Sequence, residues 1–402
     1  MMAGWQTKML ADTCDVFDDG DWIESKDQSP DGIRLIQTGN VGEGVFKDRG
    51  EKARYISEAT FKRLRCTEIF ESDCLISRLP DPAGRSCLLS DTGERMITAV
   101  DCTIVRFDKN QVIPAFFNYY SQSSDYLNTV DSETTGTTRK RISRSRLGQI
   151  RIPVPPLPEQ QRIVRILDEA FDAIATAKAD AEKNLQNSRA LFESYLDGVF
   201  ANPGEQWEIC PLEKYIKFID YRGHTPSKTE SGMRLITAKN VKNGFLQREP
   251  EEFVNSSIYD KWMVRGFPKK GDVLFTTEAP LANIAQLDTD EKVLFAQRII
   301  IFQPQEAKID QTFLKYLLLS QPIKARIFSK ATGATVLGIK ARLLKQVEIY
   351  FPDTLFEQHA IVAKLDALRA ETRRLESIYQ HKLAALDELK KSLLHQAFTG
   401  EL

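Results

Sequence analysis

Two long stretches carry the clearest pattern of apolar and polar positions. In 357–398, Leu365, Leu368, Thr372, Leu375, Tyr379, Lys382, Leu386, Leu389 and Leu393 step by three and four. That is the a/d stripe of a paired helix, with two polar slots. Moving back 198 residues gives Leu167, Ala170, Ile174, Ala177, Ala181, Asn184, Ser188, Leu191 and Tyr195, the same stripe with smaller side chains. Antiparallel pairing would set Ala181 against Tyr379 and Ile174 against Leu386, so large meets small. The pattern predicts two helices pairing as an antiparallel coiled coil. About 40 residues at 1.5 Å each make a rod of about 60 Å. Leu167, Ile174, Leu191, Leu365, Leu375 and Leu386 are the candidate seam.

Elsewhere the apolar runs are short and broken by Gly, Asp, Asn and Pro, which reads as strands. Before the first helix the strand candidates are Arg34–Ile36, Cys74–Ser77, Met96–Phe107 and Ile150–Val154, with a helix at Pro114–Asn128. Before the second they are Leu235–Thr237, Val273–Thr276, Val293–Phe302 and Val347–Phe351, with a helix at Gln311–Ala325.

These two halves are copies. Gly32-Ile33-Arg34-Leu35-Ile36-Gln37-Thr38-Gly39-Asn40-Val41 returns as Gly232-Met233-Arg234-Leu235-Ile236-Thr237-Ala238-Lys239-Asn240-Val241, with six of ten positions identical. Asp73-Cys74-Leu75-Ile76-Ser77 returns as Asp272-Val273-Leu274-Phe275-Thr276. Thr135-Gly136-Thr137-Thr138 returns as Thr332-Gly333-Ala334-Thr335, and Glu159-Gln160 as Glu357-Gln358. The offset stays between 197 and 200. The fold class is therefore α+β: two tandem repeats, each a mixed α/β domain followed by a long helix. The division is 1–156 and 201–354 for the two domains, 157–200 and 355–402 for the helices.

Composition narrows the function classes. The 402 residues are 42% hydrophobic and 28% charged, values of a folded protein of several domains. No apolar run is long enough for a membrane helix. The first residues lack the apolar core of a signal peptide, so a cytoplasmic location is expected. The six cysteines form no CxxC pair and the four histidines are scattered, so no metal site is expected and the thiols read as reduced and buried. There is no GxxxxGK[ST] loop, no HExxH and no Asp/Asn-Pro-Pro-aromatic motif. Glu306-Ala307-Lys308 and Glu388-Leu389-Lys390 match a nuclease Glu-x-Lys only formally. No catalytic residue is assigned.

Binding chemistry stands out instead. Net charge is −1, yet 134–158 holds six basic residues and no acid, and 311–347 holds seven and no acid. Each tract includes a Thr-Gly-x-Thr turn, whose hydroxyls and N–H groups suit phosphate oxygens. The candidates for phosphate contact are Arg78, Arg139, Lys140, Arg141 and Arg144 in the first copy, and Lys239, Lys330, Lys340 and Arg342 in the second. Asn40 and Asn240 are candidate base readers, because an Asn amide pairs bidentately with adenine. Solvated basic faces and ordinary Asn turns are the plain alternative.

The pattern resembles the specificity subunit of type I restriction–modification systems. Ile152-Pro153-Val154-Pro155-Pro156-Leu157-Pro158-Glu159-Gln160-Gln161-Arg162-Ile163-Val164 is similar to that family's lead-in to its first spacer helix. Ser392-Leu393-Leu394-His395-Gln396-Ala397-Phe398-Thr399-Gly400-Glu401-Leu402 is similar to the end of its second. The resemblance implies two target recognition domains, each reading half of a bipartite, asymmetric site on double-stranded DNA. It implies two methyltransferase subunits that carry S-adenosylmethionine, and two restriction subunits that use ATP and Mg. This chain would itself be non-catalytic. The second copy departs from the pattern: Phe351-Pro352-Asp353-Thr354 stands where the proline-rich lead-in should be, and Arg78 has no basic counterpart near Thr277. A non-catalytic coiled-coil scaffold, or a subunit of a type IIB-like enzyme, are the alternatives.

Overall fold

A computed structural model describes residues 4–136, 140–221 and 226–402. Arg139 lies outside the described residues. The chain forms two compact units, one of residues 1–182 and 381–402, the other of 183–380. Each unit therefore takes one end of each long helix. The helices span Leu157–Ala201 and Leu355–Thr399. Among the described residues no helix is long and apolar enough to cross a membrane.

In the first unit, Cys14–Asp19, Cys102–Phe107, Cys74–Ser77 and Ser86–Leu88 form an antiparallel sheet in that order. A second sheet runs Gln28–Ser29, Tyr55–Ile56, Ile33–Ile36, Met96–Thr98, with its last pair parallel. Gln6–Met9 pairs with Arg151–Val154 just before the long helix. Successive strand residues point to opposite faces. Cys74, Ile76 and Val105 therefore pack against Phe117, Tyr126 and Ile152, while Leu75 and Ile104 pack against Ile36 and Met96. Both faces are covered, which explains why Cys74–Ser77 is an unbroken buried run.

The second unit repeats this topology. Its sheets run Ile216–Asp220, Ile299–Pro304, Val273–Thr277, Leu281–Gln286 and Lys228–Thr229, Phe253–Val254, Met233–Ile236, Leu294–Phe295. Trp207–Pro211 pairs with Glu348–Pro352. Val273, Phe275 and Phe302 pack with Phe313 and Leu317; Leu274 and Ile301 pack with Leu235.

Four of the expected segments are divided. Met96–Phe107 is not one strand: it breaks at 99–101 and its halves join different sheets. Val293–Phe302 breaks in the same way before Ile299. The Pro114–Asn128 helix is two, Pro114–Tyr120 and Ser124–Ser132, because the Ser123 hydroxyl accepts the Tyr126 N–H and starts a new helix. Gln311–Ala325 likewise divides at Ser320, ahead of Pro322, which has no N–H to continue a helix.

The long helices pair antiparallel. In the first unit Ile163 and Leu167 cluster with Leu394 and Ala397, and Lys178 pairs with Asp387. In the second unit Phe192, Leu196 and Leu365 share one core and Arg189 meets Glu376 at 3.3 Å. Leu167, Ile174, Thr372 and Leu365 are buried, and Leu375 and Leu386 half-buried. Leu191 corrects the expected seam: it is 52% exposed, and Phe192 and Leu196 are buried in place of Leu191 and Tyr195. Leu389 is exposed for the same reason, with Leu394 buried beyond it. A strict heptad needs 3.5 residues per turn, whereas a straight helix has 3.6 and drifts out of register by about 20° per heptad. By the far end the stripe has moved one residue along.

Candidate nucleic-acid interface

Each unit has the same backbone arrangement at the base of its basic tract. In the first, Thr135 and Arg141 exchange backbone hydrogen bonds of 2.9 and 2.8 Å, closing a loop. The Ile142 N–H donates to the Arg78 carbonyl at 3.2 Å, and the Arg78 N–H donates to the Asp101 carbonyl at 2.9 Å. In the second, Thr332 and Gly338 exchange bonds of 2.8 and 2.9 Å, the Ile339 N–H reaches the Thr277 carbonyl at 3.0 Å, and the Thr277 N–H reaches the Arg298 carbonyl at 2.9 Å. Arg78, Asp101 and Arg141 thus correspond to Thr277, Arg298 and Gly338. Gly333 turns the second loop at φ 127°, and a Cβ there would lie 2.1 Å from the Val336 carbonyl oxygen.

The chemistry at these loop bases differs. In the first unit Arg141 pairs with Asp101 at 2.9 Å. Arg78 sits 3.2 Å from Asp19 and donates to the Val100 carbonyl. Arg78 is buried, and burial pushes its guanidinium pKa down. Its guanidinium is held inside the fold, not presented on the surface as its sequence position suggested. In the second unit the polarity reverses: Arg298 pairs with Glu278 at 2.9 Å. Where the guanidinium groups of Arg78 and Arg141 stand in the first unit, Thr277 and Gly338 leave a recess of about 330 Å³.

The remaining basic candidates divide by unit. Lys140 pairs with Asp131 at 2.8 Å, and Arg144 pairs with Asp18. Lys239, Lys340 and Arg342 are exposed and Lys330 is half-buried; none forms an ion pair with another described residue.

The side chains of Asn40 and Asn240 are engaged within the fold. Asn40 is buried; its side-chain oxygen accepts the Gln37 N–H at 3.0 Å and its nitrogen donates to the Lys47 carbonyl at 2.9 Å. Asn240 accepts from Thr237 and donates to the Gln247, Arg248 and Pro250 carbonyls. Both amides brace a loop, the ordinary structural use of Asn.

The sequence landmark Glu-Gln has a role that spacing alone did not reveal. Gln160 is fully buried; it accepts the Ile113 N–H and donates to the Gln111 and Pro155 carbonyls, each at 2.8 Å. Gln358 makes the same three bonds to Asp310, Lys308 and Pro352 at 2.8–2.9 Å. A second tie joins Tyr119 to Asp168 and Tyr316 to Asp366. Each long helix is therefore fastened at its start to its own domain.

The chain is a mixed-sheet domain built twice, each copy latched to the start of a long helix. The model of the "Type I restriction modification DNA specificity domain" matches residues 2–185 and 225–382, and the chain belongs to that family. The MjaVIII type I restriction enzyme specificity subunit of Methanocaldococcus jannaschii is 25% identical, covering 75% of this chain and 73% of its own. A putative MjaX specificity subunit of the same organism is 22% identical over 99% of this chain and 93% of its own. A solved structure described as the basis of complex assembly and conformational transition of the type I R-M system has a TM-score of 0.81. It is 18% identical and covers 100% of this chain and 99% of that one. Family membership makes this chain a DNA-specificity component, not the catalytic one.

Proposed function

We propose that the chain reads a bipartite, asymmetric site on double-stranded DNA. Each domain reads one half, and the paired helices set the gap and seat the catalytic partners. The observation that carries this reading is the duplicated loop base: one backbone arrangement, presented twice, with different side chains. Two copies of one scaffold suit two half-sites along a duplex, and different side chains suit different sequences.

The partners in this reading are two methyltransferase subunits and two restriction subunits, in the cytoplasm. The former hold S-adenosylmethionine and methylate adenine N6; the latter use ATP and Mg. A target adenine must leave the stack for that chemistry, which falls to the methyltransferase. This chain contributes sequence choice, phosphate contacts from Lys330, Lys340 and Arg342, and helix faces for docking.

The test is single-molecule sequencing of DNA modification in cells with and without the gene. Loss of N6-methyladenine at one two-part motif with a fixed spacer is the expected result. Unchanged modification at every motif, in cells that express the methyltransferase, would reject the reading.

A further inference from the structure

The recess under the 332–338 loop is a built feature. Its floor and walls come from Thr277, Glu278, Gln297, Arg298, Gly338 and Lys340. At the counterpart positions of the first unit stand Arg78 and Arg141, each paired with an acid, where the second unit has Thr277 and Gly338. Arg298 is half-exposed beside the recess. Its Nε lies 2.9 Å from Glu278 Oε1, and its guanidinium donates no hydrogen bond to another described residue. Glu278 therefore holds the guanidinium by charge at Nε and leaves its N–H donors without a hydrogen-bond acceptor among the described residues. Those donors match the O6 and N7 acceptors of guanine in the major groove.

The backbone here is also strained. Arg298 has φ 82°, and Ala279 and Ala282 have φ 45° and 62°. L-residues avoid this region, and such outliers gather where a side chain must be aimed. Thr277 holds the strained segment, its hydroxyl donating to the Arg298 carbonyl at 3.3 Å.

Resting on the DNA-reading function above, we infer that Arg298 is a base reader of the second domain. It takes a guanine edge into the recess, and Glu278 is its positioning residue. The first domain cannot read in this manner, because Asp101 stands at the position of Arg298.

The test compares wild-type, Arg298→Ala, Arg298→Gln and Glu278→Gln alleles in the same cells, sequencing DNA modification. Arg298→Ala is expected to relax one guanine in one half of the motif and to lower modification there about ten- to hundredfold, the value of one bidentate pair. Arg298→Gln is expected to move the preference at that position toward adenine, a gain that a structural role cannot produce. Glu278→Gln keeps the guanine preference with a discrimination about threefold weaker, since the reader is intact but less firmly held. If Arg298→Ala abolishes modification, selection of randomised duplexes by the purified full chain decides, and unchanged base frequencies at every position overturn the inference. A wild-type motif whose bases stay the same in all three variants also overturns it, and leaves the DNA-reading function standing. A wild type that modifies no two-part motif rejects both.

Discussion

The two loop bases share a backbone and oppose each other in charge. In the first unit the acids are Asp19, at the end of its strand, and Asp101, just before the next one, and the cations are Arg78 and Arg141. In the second the cation, Arg298, stands at the position of Asp101 and the acid is Glu278. Hydrogen bonds between main-chain groups do not depend on side-chain identity, so the scaffold survives while the exposed chemistry is exchanged. Bases are told apart by side chains and phosphates are not. A duplicated reader that keeps its scaffold and changes its loop base is free to acquire two different half-sites.

The latches are where the units agree, and where substitution should cost most. Gln160→Ala and Gln358→Ala each leave one buried N–H and two carbonyls without a partner. An unmade buried bond costs about 1–3 kcal/mol, so each variant should lose about 3 kcal/mol. Denaturant unfolding of the full chain checks the magnitude. The comparison predicts equal losses, because the three bonds are the same in both units. A latch whose loss is less than half the other's would show that the second lead-in, Phe351-Pro352-Asp353-Thr354, holds its helix by other means.

At the loop base the units should part. Arg78→Thr places in the first unit the residue found in the second. It removes a buried guanidinium, leaves Asp19 without its partner and opens a cavity. Asp19 is partly solvated, so the loss should be about 2 kcal/mol rather than the larger cost of a fully buried pair. Thr277→Ser keeps the hydroxyl bond to Arg298 and removes one methyl, and should cost under about 1 kcal/mol. Thermal unfolding of the two variants side by side measures the difference. A loss from Arg78→Thr no greater than that from Thr277→Ser would mean the ionic network is not holding the first loop.

Much of this was legible in the sequence, for identifiable reasons. A repeat displays itself through identical landmarks, and paired helices through spacing, so both were readable without coordinates. The drift of the seam from Leu191 to Phe192 was not, because heptad and straight-helix periods differ by less than one residue over the first few turns. For Asn40 and Asn240 the letter alone does not separate an Asn that braces a loop from one that reads a base. Only the burial of the amides separates them. Arg78 is alike: its charge was visible in the sequence, and its burial beside Asp19, far away in sequence, was not. Arg298 lay just before a strand in Ala296-Gln297-Arg298-Ile299, without a basic cluster around it. Aligning the repeats strand by strand would have set it against Asp101.

The smallest effect concerns the exposed cations. Those of the second tract, Lys340 and Arg342, have no acid paired to them among the described residues, while Arg141 and Arg144 face Asp101 and Asp18. A lysine or arginine that neutralises a phosphate releases its counterion, and the log–log salt slope of binding falls by about one when it is lost. A cation already matched by an aspartate brings that aspartate's repulsion with it, and exposed ion pairs are themselves worth under about 1 kcal/mol. Lys340→Ala and Arg342→Ala should therefore each flatten the slope by about one unit. Arg141→Ala and Arg144→Ala should flatten it by about half a unit or less. Titrating one cognate duplex at several salt concentrations with the assembled complex reads all four. Equal slopes for both pairs would mean that Asp18 and Asp101 release their partners when DNA arrives, and the charge contrast between the units would then belong to the free protein alone.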